Sequence, residues 1–189
     1  SSLYQSSLGS FNALETREFL QVAKLQSLAL GSQTAIRNVS LGQVAEQSGP
    51  LGAFIISQHG NNAIIPPLAG LTYGPLGVDG SSFFETVTLD SGYMDITIQN
   101  NFPTDISNID FEIRNESDNS LIGQENFASV PQGTTQTRTI DLAGQTVEGL
   151  LVGNILNFDI DGSNGQAVPI DTNDQIIITI LVRDTKVQS

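Results

Sequence analysis

Phe83-Phe-Glu-Thr-Val-Thr-Leu-Asp-Ser-Gly-Tyr-Met-Asp-Ile-Thr-Ile-Gln99 decides the fold class. Phe83, Glu85, Val87 and Leu89 fall on one side of an extended chain, and Phe84, Thr86 and Thr88 on the other. After the turn residues Asp90-Ser-Gly92, Met94, Ile96 and Ile98 alternate with Asp95, Thr97 and Gln99. A period of two with one apolar and one polar face marks a half-buried strand of an antiparallel sheet.

The same signature runs outward to the C-terminus. Ile109, Phe111 and Ile113 alternate with Asp110, Glu112 and Arg114. Leu121 to Phe127 is a short strand, Val130-Pro-Gln-Gly133 a turn, and Thr134 to Leu142 a β-branched extended run. Leu150 to Ile160 follows, closed by Asp161-Gly-Ser-Asn-Gly165. Gln175 to Arg183 is apolar on both faces and reads as a central, covered strand. Seven short strands at this spacing predict an all-β antiparallel β-sandwich over residues 81–189.

Residues 1–80 are expected to form a separate, mostly extended region. Ser10 to Ala29 fits a helical period loosely and also alternates in places. Ile36 to Leu41 and Ala53-Phe-Ile-Ile56 read as extended. Asn62 to Gly80, with Pro66, Pro67 and Pro75, reads as a linker or a packed loop. Leu30 to Ile36 is echoed in Leu142 to Val147, a short match that would fit a duplicated sandwich. The chain begins Ser1-Ser-Leu-Tyr-Gln, so a processed form or an excised piece is expected.

Met94-Asp-Ile-Thr-Ile-Gln-Asn-Asn-Phe-Pro103, Ile109 to Asn115, Leu121-Ile-Gly123 and Val130-Pro-Gln-Gly133 together resemble the group 2 late-embryogenesis-abundant (WHy, water-stress) sandwich. Leu89 to Gly92 and Asp141 to Thr146 are also similar to cell-envelope lipoproteins of Bacteroidota. The resemblance spans residues 83–184. It implies a non-enzymatic immunoglobulin-like sandwich, an envelope accessory or protective module, and carries over no functional residue, because its motifs are turns. Pro103, lacking an N–H, belongs at a strand end, and Asn100 and Asn101 suit the turn before it.

Charge narrows the partner classes. The net charge is −13, and residues 1–78 contribute none of it: three acids there face three bases. Residues 79–189 carry 17 acids and four bases. A field of this sign repels phosphate polyanions, so nucleic acid is excluded as the expected partner. No cysteine is present, which removes disulfides and thiolate ligands. Only 14% of residues are charged, against about 25% in an average domain. That polar, uncharged surface suggests a cell-envelope or extracellular setting, with membrane attachment only through an upstream lipid anchor.

Candidate sites are sparse. The sole histidine, His59, lies in a polar, turn-like stretch with no nucleophile elbow near it. One histidine without cysteine leaves zinc poorly served. Calcium is the candidate ion: Asp159 and Asp161 share a strand face, Asn164 follows in the turn, and Asp171 and Asp174 lie in the next loop. The same residues also suit a plain hairpin turn. Asn38-Val-Ser40 and Asn115-Glu-Ser117 fit the glycosylation sequon. No resident cofactor is expected. The leading expectation is a non-enzymatic structural or interaction module that meets an envelope protein through sheet edges or loops. The alternatives are a calcium-dependent or carbohydrate-binding module and, more remotely, a hydrolase using an unrecognised carboxylate pair.

Overall fold

A computed structural model of the chain describes residues 29–189. The short strand β1 (Ala29–Leu30) precedes β2 (Gln33–Ser40), and two helices follow, α1 (Leu41–Glu46) and α2 (Gly49–Ser57). The remaining strands are β3 (Asn62–Ile64), β4 (Leu68–Asp79), β5 (Thr86–Asn100), β6 (Ile106–Asn115), β7 (Leu121–Val130) and β8 (Thr135–Asp141). They continue through β9 (Thr146–Glu148), β10 (Leu150–Ile160), β11 (Ala167–Pro169) and β12 (Gln175–Val187).

These strands build the expected all-β antiparallel sandwich. One sheet runs β2-β12-β5-β8, with β1 extending the β2 edge and β9 the β8 edge; the other runs β4-β10-β6-β7. Two facing four-strand layers in this order are those of a jelly roll, two Greek keys deep. Relative to an immunoglobulin-like arrangement, the last strand is inserted between the first and the fifth. Strands β3 and β11 form a separate two-stranded ribbon.

The break expected near residue 80 is not where the chain divides. β2 pairs with β12 from Gln33↔Val182 to Ser40↔Gln175, and β4 pairs with β10 from Leu68↔Ile160 to Asp79↔Leu150. Both strands are edge members of the same sandwich, so residues 29–80 complete it. The Gly/Pro-rich Asn62–Gly80 stretch is therefore strand for most of its length, with Pro75 on an edge where a missing N–H costs no ladder bond. The turn expected at Asp90-Ser-Gly92 is also absent: β5 runs unbroken, bending where its partner changes from β9 to β8. The echoed stretches lie on opposite edges of one sheet, and the helix-or-strand question over Ser10 to Ala29 lies outside the described residues except for Ala29, which opens β1.

The core lies between the layers. Met94, Ile96 and Ile98 of β5 and Ile176, Ile178 and Ile180 of β12 face Phe111, Phe127, Ile155 and Phe158 of the other sheet, all buried. Asn100 closes one end. Fully buried, it donates through Nδ2 to the Thr104 and Val130 carbonyls, both at 2.9 Å, and accepts from the Phe102 N–H at 2.9 Å. Asn115 plays the same part at the other end of β6, donating to Ser120 and to the Thr146 carbonyl and accepting from the Glu148 N–H.

Two arginines close the open sides. Arg37 on β2 reaches across to donate to the Gly77 carbonyl of β4 at 2.7 Å, and to the Ile36 carbonyl of its own strand at 2.8 Å. Arg138 on β8 donates to the Asn126 carbonyl of β7 at 3.2 Å and to the Thr137 carbonyl at 3.0 Å, over the ring of Phe127. Each guanidinium spans the two sheets at an edge and occupies carbonyls that a foreign strand would need.

Asn100→Ala leaves three backbone groups without their partner and should cost about 2–4 kcal/mol, read from urea unfolding. Asn100→Asp should be at least as damaging, since it replaces the donor with a buried charge. The double variant Arg37→Met/Arg138→Met should lose about 1–2 kcal/mol, discounted for solvent exposure, and become prone to concentration-dependent association by light scattering. Unchanged solution behaviour would refute the edge-capping role.

Candidate functional site

The connection between β2 and β4 crosses from one sheet to the other and carries both helices. Ser40 starts α1 with a capping box: its Oγ accepts from the Gln43 N–H at 3.1 Å, and the Gln43 side chain accepts from the Ser40 N–H at 2.9 Å. Leu41, Val44 and Ala45 turn inward. Ser48 donates to the Val44 carbonyl at 2.7 Å, ending α1, and Pro50 opens α2 in the first turn, where its lost N–H has no helical partner to miss. Gly52 then lies against α1 so closely that a Cβ there would sit 1.8 Å from the Ala45 carbonyl oxygen.

Ala53-Phe-Ile-Ile56, expected to be extended, is thus helical. Four apolar residues with two isoleucines carry a strand-like signal, but the proline start and the Gly52 contact decide otherwise. Of α2 only Gly52 and Ile55 are buried. Leu51, Phe54 and Ile56 are 45%, 43% and 39% exposed. Ser57 is the one polar side chain in the helix. A helix that is apolar all round belongs in an interior, and an exposed apolar patch marks a contact surface.

The surroundings sharpen the contrast. From Gln47 to Val78 there is no Asp, Glu, Lys or Arg. That uncharged span is a sequence signal that could have pointed to the site. Acids stand around it in space. Glu46, exposed, ends α1 at the entry to α2. His59, just past α2, accepts the Thr172 N–H at its Nδ1 (3.1 Å), with Asp171 at 3.8 Å. A backbone N–H can only donate, so Nδ1 is unprotonated there and the ring hydrogen is on Nε2. This ties α2 to the 171–174 loop, which also accepts the Leu41 and Gly42 N–H groups through the Asp174 and Thr172 carbonyls. The Asp174 carboxyl is pushed up by burial first and by the charge of Asp171 second. His59 is therefore a connector between the helical cap and the loop.

The calcium candidates are brought near one another but are already engaged. Asp159 accepts from the Gly70 N–H at 2.8 Å and from Asn108 Nδ2 at 2.7 Å. Asp161 accepts from the Ser107 hydroxyl at 2.5 Å. Asn164 stands exposed in the left-handed region of the turn, and Gly162 allows that turn to lie against the Ile65–Pro67 backbone, where a Cβ would come within 2.8 Å of the Ile65 carbonyl oxygen. Among the described residues no group of three His, Cys, Asp or Glu side chains is placed to hold a metal. Asp171 and Asp174 belong to the loop beneath the helical cap.

Other candidates separate cleanly. Asn38 of the first sequon is exposed on β2, whereas Asn115 of the second is buried in its own bonding network. Glu112, the acid counted among the buried polar residues, is paired with Arg114 at 3.0 Å and receives a bond from Asn154. A groove of about 250 Å³ lies on the outer face beside Asn154, Gln47 and Gly74; its one aromatic residue, Tyr73, is half-buried against the core.

No family model matches the chain, and no curated protein does. Solved structures with some likeness include the pili of Bacillus endospore appendages, at 6% identity and a TM-score of 0.26, covering 82% of this chain and 88% of that one. The coat protein of tobacco streak virus has 11% identity and a TM-score of 0.27, covering 66% and 83%. A family 6 carbohydrate-binding module from Clostridium cellulolyticum, in complex with xylose, has 13% identity and a TM-score of 0.27, covering 86% and 91%. Scores of this size leave the reading to the chain's own geometry.

The Asn108 and Gly70 bonds hold the Asp159 carboxyl below its ordinary range. Its contribution to stability is complete above the unfolded carboxyl value near 3.9 and is lost as pH falls through the lower folded value. Asp159→Asn should therefore flatten the acid arm of the stability–pH curve. Melting curves of the wild type in EDTA and in millimolar calcium should coincide; a calcium-dependent rise would give these oxygens to the ion instead.

Proposed function

We propose that the chain is a non-enzymatic interaction module of a secreted or cell-envelope protein, and that it docks a protein partner through the helical cap at α2. The observation that carries this reading is the nine-residue helix, apolar around its circumference, with Leu51, Phe54 and Ile56 turned partly to solvent. Hydrophobic side chains of this size stabilise by about 1.5–3 kcal/mol each when fully buried. Here a substantial part of that gain is unused. Docking through sheet edges is the weaker version, because Arg37 and Arg138 already occupy carbonyls on all four edge strands.

The test is a Leu51→Ser/Phe54→Ser/Ile56→Ser variant. Its circular dichroism should match the wild type, since the three side chains contribute little to the core. The neutral dye Nile red should brighten on the wild type and not on the variant. A photo-crosslinking residue at position 54 should form an adduct in the native setting that one at Thr137, on an outer sheet face, does not. Equal dye response from both proteins would remove α2 as the docking surface.

A further inference from the structure

We infer that the partner of the α2 cap presents an apolar centre ringed by lysine and arginine. This rests on the docking role proposed for α2 and specifies its occupant. The centre follows from Leu51 and Phe54, one helical turn apart on the same side of α2, with Ile56 on the other flank. The ring follows from charge. Glu46 stands at the entry to the helix, and Asp171 beside His59 at its exit. Asp174 lies in the same loop, under α1.

Among the described residues no arginine is free to neutralise that rim, because each is committed elsewhere, and Lys186 lies near the far end of β12 from the 171–174 loop. Arg37 and Arg138 bond edge carbonyls, Arg114 pairs with Glu112, and Arg183 pairs with Asp95 and Asp184 while lying over Tyr93. A second copy would bring the same acidic rim against itself. A lipid surface is disfavoured for a related reason: membrane-lying helices carry a basic polar face, and α2 has none, on a chain of net charge −13. A basic-rimmed protein surface is the occupant that satisfies both the apolar centre and the acidic border, with the rim governing encounter rate and salt dependence.

The experiment uses the full chain and three synthetic probes: an amphipathic helix of leucine and lysine, its leucine–glutamate counterpart, and polylysine. The leucine–lysine helix should bind, weakening as ionic strength rises, and the leucine–glutamate helix should not. Phe54→Ser should weaken the first by about tenfold, the loss typical of an anchoring aromatic. Glu46→Gln/Asp171→Asn should weaken it by roughly threefold and flatten its salt dependence, while leaving the Nile red response intact. Polylysine should respond to neither Phe54→Ser nor Leu51→Ser.

Several results would overturn the inference. Equal binding of the two amphipathic helices would show that the rim selects nothing. Binding of the leucine–lysine helix that ignores Phe54→Ser would place it on the acidic sheet faces. A Phe54-dependent dimer in ultracentrifugation would make the occupant a second copy, and Phe54-dependent capture by phosphatidylcholine vesicles would make it a lipid surface. In each case a retained Nile red response at α2 keeps the docking surface itself, so the two conclusions fail separately.

Discussion

The pairing of β12 with β5 is the constraint on which the sandwich depends. Ile176, Ile178, Ile180 and Val182 stand opposite Asn100, Ile98, Ile96 and Met94 along one ladder, with their side chains in the core. Among the described residues β12 is also the only strand paired with β1 and β2. Until the final strand is in place, β2 has nothing to pair with, and the connection that carries the helical cap has no fixed starting point. The native contacts are consequently long-range in sequence, a topology that pays its loop-closure entropy early and folds slowly. Retaining the last strand is a condition for the fold and for the proposed docking surface alike.

A four-on-four sandwich has four edges, and this one treats them as a matched pair of problems. On each open side an arginine from the β12-containing sheet crosses to the other sheet and bonds a carbonyl there, with a second bond to its own strand. The positive charge is put to structural use on a chain that has little of it. Edge strands stay protected without long covering loops, and the acidic side chains keep the faces solvated. What remains for specific contact is α2, which carries no charged side chain and no strand pairing.

β5, β6, β7, β8, β10 and β12 were legible, most from period-two alternation bounded by turn residues and β12 from a run apolar on both faces; Ile109-Asp-Phe-Glu-Ile113 is the plainest case, while β9 and β11, three residues each, are too short to show a pattern. Connectivity was not legible, because alternation reports a face and not a neighbour. β2 and β4 were assigned to a separate region since Gly/Pro-rich β4 lacks a clean pattern, its bulges against β10 shifting the register. Asp90-Ser-Gly92 looked like a turn by residue type, but β5 runs through it as a bend, with Gly92 backed closely by Thr185. The α2 site was hidden for a different reason. Its four-residue apolar run suits a buried strand as well as a helix, and only the Gly52–Ala45 contact, formed between two segments, resolves it. The uncharged span around it was visible throughout, as an absence that acquires meaning once the helix is seen at the surface.

Separating the acid excess from the cap resolves a conflict between solubility and recognition. A chain with an exposed apolar helix risks indiscriminate association, and strong net charge of one sign opposes it at a distance. Charge spread across α2 would remove the proposed docking surface; placing it on the sandwich, the 171–174 loop and Glu46 leaves α2 itself uncharged. The attachment of α2 fits the same logic. The helix is held by Gly52 and Ile55, its two buried residues, and contributes little else to the core. Its exposed residues are thus free to be chosen by what they contact outside the chain, which is the basis of the docking role proposed for them.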